Sequence, residues 1–164
     1  MADVFTKAKR SEVMSRIRSR GNKDTELALV KIFRREKIAG GWRQRRVRLN
    51  IQRQTSNSER LKLSVGCLKS SSWVRPDFVF PKLKVAMFVD GCFWHACPKH
   101  STRPKNNAVF WEKKLEANKK RDRQVNRMMR KRSWRVLRIW EHELTRKNED
   151  RCVRRIRRFL DVVD

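Results

Sequence analysis

Four of the chain's seven cysteine and histidine residues fall between Cys92 and His100, in the stretch GCFWHACPKH. That crowding constrains the fold more than any other feature. Cys92, Cys97 and His100 place two thiols and an imidazole where one short loop can gather them, with Pro98 fixing the turn between the last two. Zinc takes four such donors tetrahedrally, so a fourth must arrive from elsewhere in the chain. His142, Cys67, Cys152 and His95 are the candidates. His142 is favoured, because it stands just past a core strand, in WEHEL, where the chain leaves the sheet. A closed set of four protein ligands is structural rather than catalytic. It leaves His95 over, beside Trp94 and near Asp90. The plainer alternative is a chance meeting of small thiols with a surface histidine. Disulfides are not expected, because the cysteines are unevenly spaced and MADVFTKAKR lacks the apolar segment of a secretory signal.

Charge narrows the partner. The 164 residues carry 44 Lys and Arg against 17 Asp and Glu, a net charge of +27. A compact protein this basic repels itself unless it meets a polyanion. Nucleic acid is the leading partner and an anionic membrane surface the minor one. No apolar run reaches the length of a membrane span, so none is expected. Residues 1–22 are basic and polar, with a short helical pattern around Val13, Met14 and Ile17, and read as an arm that orders on a partner. Residues 23–164 suffice for one domain with its own core.

Within that domain, Asp24 or Thr25 can cap a helix whose apolar face is Leu27, Val30, Ile32 and Phe33, with Gly40-Gly41 as its end. Residues 43–74 show no clean period and read as an insertion or as one or two edge strands. PDFVF, PKLK and VAMFVDG then read as strand, turn and strand, and WRVLRIWE as a third strong strand. A long helix from about Asn107 to Lys131 lies between them, and a basic amphipathic helix, EDRCVRRIRRFLDVV, follows. Interleaved strands and helices predict an α/β fold with a mixed sheet flanked by helices.

On the long helix, Trp111, Leu115, Asn118, Asp122, Val125 and Met129 share one face. Asn118 and Asp122 do not belong in a core unless they are paired. Either Asp122 bridges to Arg123 or another arginine, or it orients a catalytic group. The opposite face, with Lys113, Lys114, Lys120 and Arg127, is open to solvent or phosphate. Asp77 opens the first core strand and Asp90 ends the second. A carboxylate at such an edge, with a main-chain carbonyl from the next strand, is a seat for Mg²⁺, which assists phosphodiester hydrolysis. His95 could then take a proton from the attacking water.

RPDFVFP, VAMFVDGCFWHACPKH, NNAVFWEKKLEANKKRDRQVNR and WRVLRIWEHEL, with the N-terminal MADVFTKAKRSEVMSRIRSRGNKDTELAL, resemble the very short patch repair (Vsr) endonucleases. The resemblance covers most of the chain and fails over roughly 45–74, which therefore reads as a variable insertion. It implies a restriction-endonuclease-like fold with a structural zinc, and nicking of DNA 5′ to the T of a T:G mismatch with Mg²⁺. It implies Asp77 as central Mg²⁺ ligand, the Val89 carbonyl as another, His95 as general base, Asp122 as its support, and Glu26 near the metal through water. Cys92, Cys97, His100 and His142 would bind zinc, and Phe93, Trp94 and Trp111 would wedge between base pairs. For these three aromatics the plainer alternative is core packing. The chain departs from the better-known members in carrying Val89-Asp90 where they have Thr-His, and His142 where they have a zinc-binding Cys. Asp90 thus removes one acid and is expected to change metal binding.

The resemblance also implies double-stranded, mismatched DNA as partner, contact with mismatch-repair proteins, and a place at the bacterial nucleoid in the cytoplasm. A monomer is expected, since a nick needs one active site. Two other readings stay open: a site-specific nuclease of a mobile element, and a zinc-stabilised DNA-binding module without catalysis.

Overall fold

In the computed structural model, residues 25–50 and 71–161 are described. The basic arm, Asp24 and the segment 51–70 with Cys67 lie outside them. The order is α1 (Glu26–Arg35), β1 (Trp42–Arg43), β2 (Val47–Asn50), β3 (Ser71–Val74), β4 (Phe78–Phe80), β5 (Val85–Asp90), α2 (Ala108–Arg130), β6 (Arg135–Trp140), a single 3-10 turn (Glu141–Leu144) and α3 (Glu149–Asp161). The three strands, the turn and the three helices read from the sequence are present.

The main sheet runs β1-β4-β5-β6. β4 and β5 form the expected antiparallel hairpin across the Pro81–Lys84 turn, with Phe78 opposite Met87. β6 lies parallel to β5, Val85 opposite Arg135 through Asp90 opposite Trp140, with α2 as the crossover. The sheet is therefore mixed. A second, two-stranded antiparallel ribbon joins β2 to β3, pairing Val47 with Val74 and Arg48 with Trp73. Part of the segment without clean periodicity is thus paired strand.

The two-residue period of the strands divides the core into two layers. Phe78, Phe80, Val85, Met87, Leu137 and Ile139 meet Leu29, Ile32 and Phe33 of α1 and Val153 and Ile156 of α3 on one side. Val79, Ala86, Phe88 and Val136 meet Val125, Met128 and Met129 of α2, with Val47, Leu49 and Val74 of the ribbon, on the other. This parity delivers the site. Asp90 shares the α2 face with Ala86 and Phe88, and Arg138 shares it with Val136.

One local expectation is corrected. α1 ends at Arg35, before Gly40-Gly41. Lys37 takes the left-handed conformation, the Ile38 N–H reaches the Phe33 carbonyl at 2.9 Å, and that of Lys37 reaches Arg34 at 3.3 Å. Such a turn closes a helix even without glycine. Gly41 serves a close approach instead, since a Cβ there would stand 2.7 Å from the Phe80 ring. Thr25 occupies the N-cap position without a side-chain cap bond.

Candidate active site and metal centre

The expected catalytic residues converge at the end of β5 nearest α2. Asp77 precedes β4, and its Oδ2 accepts the Val89 N–H at 2.8 Å. In a strand the N–H and C=O of one residue face the same neighbour, so the Val89 carbonyl faces this edge too. The register that sets Phe78 against Met87 sets Pro76 against Val89. Proline has no N–H to give. The Pro-Asp pair thus leaves a carboxylate and a carbonyl side by side with no ladder donor between them. Burial pushes the Asp77 carboxyl up to about 6; the Val89 N–H opposes this, and the charges of Glu26 and Asp90 add to the rise. A half-buried carboxylate among other carboxylates suits a cation.

Glu26, in the first turn of α1, is 4% exposed. Its Oε2 accepts from Gln44 Nε2 at 3.0 Å, and Arg43 Nε lies 3.1 Å from Oε1. The backbone continues this link, because the Gln44 N–H donates to the Asp77 carbonyl at 2.9 Å.

His95 follows in the loop after β5. Its Nδ1 lies 2.6 Å from Asp122 Oδ2 and 3.6 Å from Asp90 Oδ1. A carboxylate on Nδ1 fixes the ring orientation and leaves Nε2 for chemistry. Burial raises the Asp122 carboxyl, but the hydrogen bond with His95 and the charge of Arg138 outweigh it and hold the group below its usual range. Asp122 also bonds Arg138, Nη2 to Oδ1 at 3.1 Å, so it bridges to an arginine and supports a histidine at once. The bridge goes to Arg138 rather than Arg123, which pairs with Glu116. Asn118, the other misplaced polar residue of that face, donates to the Trp94 carbonyl at 2.9 Å and steadies the loop carrying His95.

Arg138 went unnoticed in the sequence. Its Nη1 holds both Asp90 oxygens, at 2.7 and 2.8 Å, and its Nε donates to Asn126 at 3.1 Å. Its guanidinium lies 4.9 Å from the centre of the Phe88 ring. The signal was present: an arginine at an inward-alternating position of WRVLRIWE. Asp90 is therefore paired with a cation and turned toward His95.

The thiols and imidazoles of Cys92, Cys97, His100 and His142 lie within 4.8 Å of one another and could hold a metal ion. His142 Nδ1 is 3.2 Å from the Cys92 sulfur and 3.7 Å from that of Cys97, and His100 Nδ1 is 3.8 Å from Cys97. A tetrahedral ion with ordinary metal–sulfur and metal–nitrogen bonds spaces such donors about 3.5 Å apart, so the set fits. Burial pushes the Cys92 thiol up, with the neighbouring Cys97 sulfur adding to it, and burial with His100 beside it pushes the His142 imidazole down. Glu141 accepts the Cys92 N–H at 3.0 Å, a second support that the sequence did not reveal. Cys152 is in the first core layer, where burial lifts its thiol to about 11.

Phe93, Trp94 and Trp111 form one half-buried aromatic cluster, with centroids 5.2 Å apart for Phe93–Trp94 and Phe93–Trp111 and 6.0 Å for Trp94–Trp111. Phe110, not singled out in the sequence, packs on Trp111 at 5.4 Å and is 60% exposed. The cluster stands beside His95 and ends in exposed ring surface.

Comparison with known proteins identifies the family. Residues 68–101 match the family model of the DNA mismatch endonuclease Vsr. The Type II nicking enzyme V.NmeAIP of Neisseria meningitidis is 33% identical over 162 residues, 98% of this chain and 95% of that protein, so the likeness runs through 45–74 as well. The Type II nicking enzyme V.NaeI of Lentzea aerocolonigenes is 54% identical over 70 residues, 43% of this chain and 42% of its own length. The DNA mismatch endonuclease Vsr of Escherichia coli is 37% identical over 68 residues, 41% of this chain and 44% of its own. With nearly the whole chain aligned to a nicking enzyme and its site segment matched by the Vsr model, this protein belongs to the Vsr family of DNA endonucleases.

Proposed function

We propose that this chain nicks duplex DNA at T:G mismatches, 5′ to the mismatched T, using Mg²⁺ at Asp77 and a restriction-endonuclease-like fold stiffened by zinc. The observation that carries the reading is the 2.6 Å His95–Asp122 pair beside the Asp77–Val89 edge. Asp77 and the Val89 carbonyl would hold the Mg²⁺ ion, and Glu26, buried and fixed by Arg43 and Gln44, would act through water. Mg²⁺ there supplies polarisation of the phosphate and stabilisation of the leaving oxygen. His95 Nε2 receives the proton of the attacking water while Asp122 holds Nδ1 and stabilises the charged ring. Asp90, locked by Arg138, shapes the field around His95 rather than binding the ion directly. Phe93, Trp94 and Trp111 enter the stack at the mismatch, where unstacking is cheap.

Zinc is the ion assigned to Cys92, Cys97, His100 and His142, since two thiols and two imidazoles at tetrahedral spacing suit it. The basic arm 1–22 would close on DNA from the other side, with 23–164 as the catalytic domain. The protein would act as a monomer at the bacterial nucleoid, alongside mismatch-repair proteins. Among the described residues no helix is long and apolar enough to cross a membrane.

Incubation with Mg²⁺ and two duplexes, alike except for one T:G mismatch, tests the reading with His95→Ala alongside. Selective nicking beside the T, lost in the variant, is the expected result. Equal cutting of both duplexes would favour the site-specific nuclease. Tight binding without any cutting would leave only a DNA clamp.

A further inference from the structure

The β2–β3 ribbon has two unlike faces. Val47, Leu49 and Val74 turn inward and are 8%, 2% and 7% exposed. Arg48 and Trp73 stand opposite each other on the outer face. Trp73 is 55% exposed, and the Arg48 guanidinium lies 5.8 Å from its ring centre. Arg46, one alternation before Arg48, is exposed as well. Covering the core requires only the inner face. A tryptophan held half in water beside arginines is a surface made for an anionic, stackable partner.

We infer that this outer face is a duplex-DNA contact surface reading the flank of the cleavage site. The inference rests on the nuclease reading above for the position of the cut. Trp73 is four residues before Asp77 in an extended stretch, so their Cα atoms lie at most about 14 Å apart. A duplex whose scissile phosphate sits at Asp77 and that runs along the ribbon side meets it within about four base pairs. A two-stranded ribbon fits the major groove, where arginine reads guanine edges and an aromatic ring packs on bases or the thymine methyl. The base of the ribbon is tied to the site through Gln44, which bonds both the Asp77 carbonyl and Glu26. Trp42 repeats the arrangement on β1, 57% exposed with the Arg45 guanidinium at 4.4 Å.

The test is a coupling measurement in Mg²⁺-free buffer. Anisotropy gives the Kd of the full-length wild type, Trp73→Ala and Arg48→Gln for a mismatched duplex of about two helical turns, and for duplexes shortened by about half a turn on either side. The wild type should lose about tenfold in affinity when one particular flank is removed. Trp73→Ala should lose about as much on the full duplex and almost nothing more when that flank goes. Arg48→Gln, exposed and unable to disturb the core, should reduce the slope of log affinity against log salt by about one. Unchanged affinity in both variants, or losses that simply add to those of shortening, would overturn the inference and leave the ribbon to another partner. A wild type that binds yet nicks nothing in Mg²⁺ would refute the nuclease reading, while the coupling would still decide the ribbon.

Discussion

Replacing Asp77 by Asn should make the Mg²⁺-free protein more stable, although Asp77 is the proposed Mg²⁺ ligand. The carboxyl titrates near 6 in the folded protein, against an ordinary value of 3.8. Burial comes first among the causes, with Glu26 and Asp90 adding to it and the Val89 N–H opposing. A raised acid pKa means that the folded state keeps a proton the unfolded state has released. Stability therefore falls as pH rises from about 4 to about 6, by up to about 1.4 kcal/mol per unit, and the full penalty applies above that window. It amounts to about 2–3 kcal/mol. Asn removes the charge while its side-chain oxygen can still accept the Val89 N–H. Above pH 6.5 Asp77→Asn should melt roughly 5–10 °C higher than the wild type, and near pH 4 the two should melt together. The melts require Mg²⁺-free buffer without chelator, so that an ion proposed at the cysteine–histidine centre is not stripped. Saturating Mg²⁺ should then close most or all of that gap, because binding to the folded state contributes about 3 kcal/mol at a hundredfold excess over Kd and the variant loses it. A variant less stable than wild type at pH 7.5 without Mg²⁺, or a gap constant from pH 4 to 7, would refute the electrostatic argument. An equal Mg²⁺ shift in both proteins would place the ion elsewhere.

Other perturbations probe the rest of the site. Single-turnover nicking by His95→Ala should be slower by about 100-fold or more, and by Asp122→Asn about tenfold; an unaffected Asp122→Asn would mean that the pair does not orient the base. Arg138→Gln leaves buried Asp90 and half-buried Asp122 without their cation and should lower stability in urea by about 3–5 kcal/mol, with Asp90→Asn added to it restoring part of the loss; a strictly additive double variant would contradict the pairing. Elemental analysis should find one zinc per chain, and Cys97→Ser should lose it with a fall in Tm of about 10 °C or more; full stability without zinc would make the cluster incidental.

Much of this was legible because the informative features are periodic or chemically rare. Strand alternation places PDFVF, VAMFVDG and WRVLRIWE in one sheet, and two polar residues on an apolar helix face mark Asn118 and Asp122 before any coordinates exist. Cys92, Cys97 and His100 are too crowded to be neutral, and His142 was within reach because it leaves the adjacent strand. What was hidden depends on approach in space. The end of α1 was misplaced because glycine is the usual left-handed residue, and here Lys37 takes that conformation. The ribbon shows no clean period in the sequence because each strand is four residues long, with twenty residues between them. Arg138 was lost among so many other basic residues that no single arginine stands out.

Arg138 also explains why Asp90 is tolerated. A carboxylate added beside Asp77 and Asp122 would crowd three negative groups at one end of a strand, a repulsion that burial magnifies. The parallel register that sets Phe88 opposite Arg138 aims the guanidinium across the Phe88 ring at both Asp90 and Asp122. Asp90 and Arg138 therefore form one unit: the acid arrives with its own cation and is drawn toward His95 instead of the Asp77 edge. Among the described residues, the carboxylates of Glu26, Asp77, Asp90 and Asp122 gather here, with the guanidiniums of Arg43 and Arg138 beside them. Burial, with the charges of Glu26 and Asp90 adding to it, raises the Asp77 carboxyl, as expected where carboxylates gather without a cation between them.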